Sequence, residues 1–345
     1  MCPSSSSARN SSWGPQKISR ILARTLNASA PSRSTVARVL NRLGKVKRKR
    51  RPVRIWSVDG RPRTEVKGPN DLWTIDFKGW WLAQNGERCE PLTVRDAFSR
   101  KVLAVTLLKS TKGIHVRAVL EKLFKDNGLP AAIQSDNGRP FASSGRGGLT
   151  LLSAWLVSLG IQLVRSRPAC PQDNGGHERM HRDLSILQLT PAKSRRAQQT
   201  QCDKWLLDFN HVRPHEALGD KTPAEVYRPS PRRVLSPKVP YYPAEWLTCR
   251  VTPCGNIRVN GDLVFLSTAL IGHHVGLQRL SELTWRVHYL HADLGTVEVV
   301  PMNAAFALEP AIETVAAIRR KRRLLQGDTV SLGFRPKPAY ATPLP

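Results

Sequence analysis

Three carboxylates in this sequence sit where a carboxylate needs a reason. Asp76 lies inside Trp73-Thr-Ile-Asp-Phe-Lys-Gly79, an apolar, β-branched and aromatic run that reads as a strand. A charge in mid-strand is costly on a buried face unless it is paired or on a metal. Asp136 follows a second short strand, Ala131-Ala-Ile-Gln-Ser, and precedes the turn signal Asn137-Gly138. Strand ends beside tight turns are where α/β sheets present reactive groups. Glu178 falls in a polar, Pro-led segment expected to become a helix, with Asp173 or Asn174 as N-cap. At helical spacing Asn174, Glu178 and Arg182 share one face, with His181 beside them. Taken singly, each acid would be a surface charge or a cap. Taken together they are expected to hold two Mg²⁺ ions (Mn²⁺ could substitute) and so clamp the attacking and leaving oxygens of an in-line phosphoryl transfer.

The elements that must position these acids can be read from periodicity. Trp73–Trp81, Pro91–Arg95 and Val102–Leu108 are predicted strands, with Asn85-Gly86 turning between the first two. Thr111–Asn127 is an amphipathic helix whose expected core face is Ile114, Val119, Leu120, Leu123 and Phe124. Ala131–Ser135 is a fourth strand, Leu149–Leu159 a helix, Ile161–Arg165 a fifth strand and Asp173–Leu189 a long helix carrying Glu178. Three strands, helix, strand, helix, strand, helix would put Asp76 and Asp136 on adjacent strands and Glu178 on a helix across one end. Asp96 follows a strand and reads as a turn acid rather than a further ligand. Gln172 and Asn174 could orient Glu178, although capping explains Asn174 equally well. His177 and His181 could contact phosphate or act as hydrogen-bond donors behind the acids, and Asn137 could hold the Asp136 turn.

With these pieces in order, the chain resembles the DDE transposases of bacterial insertion sequences, which share the retroviral-integrase catalytic core. The matching stretches are WTIDFKGWW, PLTVRDAFSRKVLAV, SDNGRPF, RPACPQDNGGHERMHRDL and HVRPHEALGDKTPAEVYRPSPR, running from about Asn70 to Arg233. The resemblance implies an RNase H-like fold, Asp76, Asp136 and Glu178 as catalytic acids, and strand transfer without a covalent enzyme intermediate. It also implies cleavage at the ends of a DNA element, with the freed 3′-hydroxyl joined to target DNA by a homo-oligomer. The separation of 42 residues between Asp136 and Glu178 (178 − 136) is longer than in many integrases. SSGRGG, in the intervening stretch, reads as a tolerated loop insertion.

Charge points to the same class of partner. The 345 residues carry 54 Lys and Arg against 26 Asp and Glu, a formal charge of +28. Such an excess favours a polyanion. Residues 1–54 hold 14 of the basic residues and no acid. Within them, Pro15 starts a helix with Ile18, Ile21 and Leu22 on one face. Ser34 can cap a second helix, with a Val36, Val39, Leu40 and Leu43 stripe, closed by Gly44. Two such helices, the second bearing Arg38 and Arg42, fit a helix-turn-helix at residues 1–44, or a generic helical hairpin. Similar transposases usually carry a further DNA-binding segment ahead of this one, so the chain could be N-terminally truncated. Residues 45–69 form a basic linker in which Lys47, Arg48, Lys49 and Arg50 would neutralise phosphates.

After the expected catalytic region (70–228), a Pro-, Arg- and Ser-rich linker (229–245) leads to 246–301, where alternating runs broken by Gly and Asn turns predict about five strands. That pattern suggests a small all-β, SH3-like barrel; residues 302–345 read as a basic, partly disordered tail. No apolar stretch spans a membrane. Six scattered cysteines without paired spacing suit reduced thiols. A cytoplasmic, nucleoid-associated location is therefore expected. The rival reading is a truncated or inactive transposase-derived repressor that binds DNA without cutting it; a metal-dependent nuclease without joining activity is a third.

Overall fold

The chain is described from a computed structural model covering residues 13–26, 30–45, 65–143, 145–166, 175–233 and 236–299. Lys47, Arg48, Lys49, Arg50, Gln172, Asp173 and Asn174, the linker over 46–64 and the C-terminal tail lie outside these residues, so the expectations placed on them have no structural counterpart here.

Two short helices come first: α1 (Pro15–Leu26) and α2 (Arg33–Arg42). Ser32, not Ser34, caps α2. Its extended backbone lets the hydroxyl accept from Thr35 N, and a cap must itself be non-helical. Of the expected apolar stripe Val36 is buried, whereas Val39 and Leu43 are exposed. Helix α1 is fastened to the rest of the molecule by Arg20, which pairs with Asp220 at 2.9 Å, and by Arg24, which donates to the Asp220 carbonyl.

A six-stranded mixed sheet forms the centre. Its strands are β1 (Leu72–Phe77), β2 (Trp81–Leu82), β3 (Arg88–Asp96), β4 (Val102–Leu108), β5 (Ala132–Ser135) and β6 (Gln162–Arg165). The order is β2-β3-β1-β5-β6, with β4 on β3. Strands β3 and β4 run antiparallel to their neighbours, and β1, β5 and β6 pair in parallel.

Strand alternation sorts the side chains. Trp73, Ile75, Leu92, Val94 and Ile133 fill one face, against α3 (Gly113–Asn127) and α4 (Leu151–Ser158). On α3 the buried residues are Val116, Leu120, Leu123 and Phe124. Ile114 is 72% exposed, because the helix begins only at Gly113 and its inward row runs 116-120-124. Val102 and Val105 face the other way, into a second cluster with Met180, Leu184, Cys202 and Phe209. These last four come from α5 (Gly175–Leu184) and α7 (Arg195–His211). The long helix expected over 173–189 breaks at Ser185 and continues as the one-turn α6 (Ile186–Leu189). A final short turn of helix, α8 (Pro223–Val226), opens on a Thr222–Glu225 capping box.

The C-terminal region is all β. A four-stranded antiparallel sheet, in the order β12-β11-β10-β7, is built from β7 (Leu247–Arg250), β10 (His274–Arg279), β11 (Thr284–Tyr289) and β12 (Ala292–Glu298). A hairpin of β8 (Asn256–Val259) and β9 (Asp262–Phe265) accompanies it. Six strands in two sheets thus replace the five expected. Their core takes in Leu149, Ala154 and Val157 of the α4 region, so α4 is apolar all round because it is buried on two sides.

The segment expected as a linker lies against the core. Ser230 N donates to Asn127 O, Leu129 N to Arg232 O, and Lys238 N to Ser158 O. The Gly-rich SSGRGG loop is likewise no free insertion. Gly147, at φ +65°, packs so closely on Leu294 that a Cβ there would meet its side chain at 2.5 Å. Among the described residues no helix is long and apolar enough to cross a membrane.

Candidate active site

The register of three adjacent strands collects the polar residues on one face. Asp76 stands opposite Thr93, and Thr74 opposite Arg95, across β1 and β3. On the other side Thr74 pairs with Gln134 in parallel, so the same alignment carried two residues on brings Asp136 level with Asp76. Helix α5 lies over this face and contributes Glu178, His177 and His181.

Asp76 feels both of the other acids. Burial, then the Asp136 carboxylate and, more weakly, Glu178, push the Asp76 carboxyl up from 3.8 to about 6, against a lowering hydrogen bond from the Phe77 backbone. Asp136 and Glu178 are exposed, and the Asp76 side chain is partly so, which leaves the group open to solvent. The Asp136 carboxylate folds back over Gly138, where a Cβ would stand 2.9 Å from Oδ2. Asn137 ties this turn to the end of β6 by donating to Ser166 O at 2.8 Å. Arg165 donates to Ser135 Oγ and Phe141 O and sits close enough for Asp136 to favour its charge, while burial lowers its pKa.

Behind Asp76 is a buried polar relay. Thr93 Oγ1 donates to the Asp76 carbonyl at 2.9 Å and lies 2.6 Å from His177 Nε2 and 2.7 Å from His181 Nε2. The other nitrogen of His177 meets Thr74 Oγ1 at 2.7 Å. His177 is fully buried, and its pKa falls well below the ordinary value, chiefly by burial and then by His181 and Arg95. His181 is lowered to about 4 by burial and by Lys78. Both rings are therefore neutral near pH 7. Asp76, His177 and His181 each offer a ligand atom within 4.8 Å of the others. Asp96 behaves as expected of a turn acid: it is fully buried and accepts from Asn70 N, Ser99 N and Ser99 Oγ.

The donor set suits a hard divalent ion. Burial, and after it the charges of Asp136 and Glu178, raise the Asp76 pKa, a penalty that a cation would relieve. Asp76, Asp136 and Glu178 would hold it. Arg182 is exposed on α5, and Arg38 and Arg42 are exposed on α2, away from these contacts. Thr74, Thr93, Lys78 and Arg165 were not anticipated from the sequence. Their partners lie 17 to 103 residues away, and the one local signal was the i, i+4 spacing of the two histidines.

The mixed sheet and the acids on it have counterparts in sequence among known proteins. Two family models described as integrase core domain match residues 66–171 and 159–223. An insertion element IS476 protein of Xanthomonas euvesicatoria is 29% identical over 160 residues, 46% of this chain and 44% of the relative. An insertion element IS407 protein of Burkholderia multivorans is 29% identical over 163 residues, 46% of this chain and 55% of the relative. The chain thus spans about half the length of these relatives. Among solved structures, the catalytic core domain of HTLV-2 integrase in complex with magnesium shares 18% identity at a TM-score of 0.34, covering 47% of this chain and 98% of that one. Residues 66–223, somewhat under half of the chain, thus match the integrase core domain, and the chain is similar to insertion-element proteins.

Proposed function

We propose that this chain is the DNA-cutting and DNA-joining enzyme of an insertion sequence, with Asp76, Asp136 and Glu178 as its catalytic acids. The observation that supports the reading is the environment of Asp76: strand register levels it with Asp136, and after burial both other acids raise its pKa.

In this reading water attacks a phosphodiester at the element's end and releases a 3′-hydroxyl. That hydroxyl then attacks a target phosphodiester, displacing its 3′-oxygen. Two Mg²⁺ ions, or Mn²⁺ in their place, would supply charge neutralisation at the attacking and leaving oxygens. The chain's own residues do the positioning, the larger part of phosphoryl transfer. Asp136 is set by the Asn137–Ser166 tie and the Gly138 turn, and Glu178 by the packing of α5 through Met180 and Leu184. Arg182, one helical turn beyond Glu178, is placed to take a phosphate.

Helices α1 and α2, read as a helix-turn-helix with Arg38 and Arg42 outward, would hold DNA, with the basic 45–69 stretch adding non-specific affinity. The C-terminal sheets, read as an SH3-like barrel, would bind DNA or a second protomer. Joining two ends calls for at least two copies.

The test is a cleavage and strand-transfer assay on DNA flanking the gene, in Mg²⁺ and in Mn²⁺, with Glu178→Gln alongside. Metal-dependent nicking and a joined product should appear, and both should fall by roughly a hundredfold or more in the variant, since such a ligand supports several kcal/mol of transition-state stabilisation. Tight DNA binding without cleavage in either metal would favour the repressor instead. Undiminished activity in Glu178→Gln would remove Glu178 from the site.

A further inference from the structure

The Thr93 hydroxyl has one proton and two lone pairs. Its three neighbours are the Asp76 carbonyl, which can only accept, and the Nε2 atoms of His177 and His181. A single assignment satisfies all three contacts: the hydroxyl donates to the carbonyl, and both rings donate their Nε2–H to the hydroxyl. His177 then uses its bare Nδ1 to accept from Thr74 Oγ1 at 2.7 Å, much the shorter of that hydroxyl's two acceptor contacts (Arg95 O stands at 3.4 Å), so both of its nitrogens are spent inside the protein. His181 is left with a bare Nδ1. That lone pair faces Asp76 Oδ2 at 3.9 Å, too far for a hydrogen bond. Two ligand atoms held about 2.1 Å from one ion are separated by roughly 3 to 4 Å, and the observed gap falls within that range.

We propose that His181 is a metal ligand through Nδ1, sharing one divalent ion with Asp76, and that it biases this position towards ions that accept nitrogen. Thr93 is the positioning residue that fixes the tautomer, and His177 braces Thr93 from the opposite side. This is the arrangement in which a ligating imidazole gives its remaining N–H to a fixed acceptor. Mg²⁺ prefers oxygen, whereas Mn²⁺, Co²⁺ and Zn²⁺ take imidazole readily. The ion beside Asp76 should therefore bind more tightly as Mn²⁺ than as Mg²⁺, with carboxylate oxygens alone around any second ion. The inference rests on the metal-binding reading of Asp76 and adds a nitrogen to it.

The experiment titrates Mn²⁺ into the full-length protein and reads ¹⁴N modulation of the bound ion by pulsed electron paramagnetic resonance, so that no catalytic turnover is needed. Wild type should show a directly coordinated imidazole nitrogen. His181→Asn, which offers an oxygen near the Nδ1 position, should still bind Mn²⁺ but lose that modulation, with Mn²⁺ affinity falling about tenfold or more. Mg²⁺ affinity should move far less. Thr93→Val, which frees the ring to take either tautomer, should weaken the modulation while keeping His181 in place. Mn²⁺ bound in an Asp76-dependent manner with no coordinated nitrogen in wild type would overturn the histidine ligand and leave the carboxylate reading standing. Modulation that persists in His181→Asn would also overturn it. Mn²⁺ binding indifferent to Asp76→Asn would overturn the metal reading itself, and this inference with it.

Discussion

At the scale of the residue, Asp76 illustrates how a functional position works against stability. Its carboxyl rises from 3.8 to about 6 in the folded chain, first because it is buried and then because Asp136 and Glu178 stand near. The native state therefore holds this proton more tightly than the unfolded state does. The stability associated with it is fully present below about pH 4 and is lost as pH rises through about 6. In metal-free protein the loss should be on the order of 2–3 kcal/mol. Asp76→Asn should abolish that part of the pH dependence and raise the melting temperature of the metal-free protein at pH 7, while removing its thermal response to Mn²⁺. A variant less stable than wild type at pH 7 in chelator would show that Asp76 is not under this strain. The same carboxyl makes metal binding compete with a proton, so affinity for divalent ions should weaken as pH falls below about 6.

At the scale of the element, helices α4 and α5 each carry more than one duty. Helix α5 brings Glu178 to the sheet, and Asp183 on the same helix pairs with Arg213 at 2.7 Å, both side chains largely shielded. Arg213 also lies over the Phe209 ring, so one guanidinium joins α5, α7 and the loop beyond. Arg213→Ala leaves Asp183 shielded without this partner and should cost about 3 kcal/mol in chemical denaturation. An unchanged midpoint would mean that the contact carries no net stability. Helix α4 is wedged between the sheet and the C-terminal β core, and the loop before it meets Leu294 at Gly147. A side chain there suffers both a left-handed backbone and a close contact. Gly147→Ala should destabilise by about 1–3 kcal/mol. It should also quicken proteolysis within the C-terminal sheets ahead of the central one; equal rates in both would count against a docking role for that loop.

At the scale of the whole molecule, the charge of +28 sets how the protein meets a polyanion. Engaging six or more phosphates would make DNA affinity fall by roughly a thousandfold between 50 and 200 mM salt. A filter-binding or fluorescence-anisotropy titration over that range checks this, and a shallow dependence would argue against a phosphate-dominated interface. The N-terminal helices are tethered to Asp220 through Arg20 and Arg24. That contact draws on arginines which would otherwise be free for DNA.

The strand that carries Asp76 and the strand that ends just before Asp136 were legible in the sequence. WTIDF, AAIQSDNG and HERMH each carry a local pattern, and two-residue alternation fixes which side chains share a face. The order of elements as far as α5 also followed from periodicity, but the single strand expected over Trp73–Trp81 is two, β1 and β2, and α7 was not anticipated; boundaries failed at Ser32 for Ser34 on α2 and at the break at Ser185 after α5. Only the tertiary structure decided what stands behind and beside those patterns. Thr93 meets His177 and His181 from 84 and 88 residues away, and the orientation of His181 rests on the proton count at that one hydroxyl. Gly147 and Lys238 fasten a loop and a presumed linker to surfaces that no local spacing encodes. Local pattern records which face a residue occupies, because the backbone repeats. It cannot record which distant donor reaches that face, because that is settled by how the layers pack.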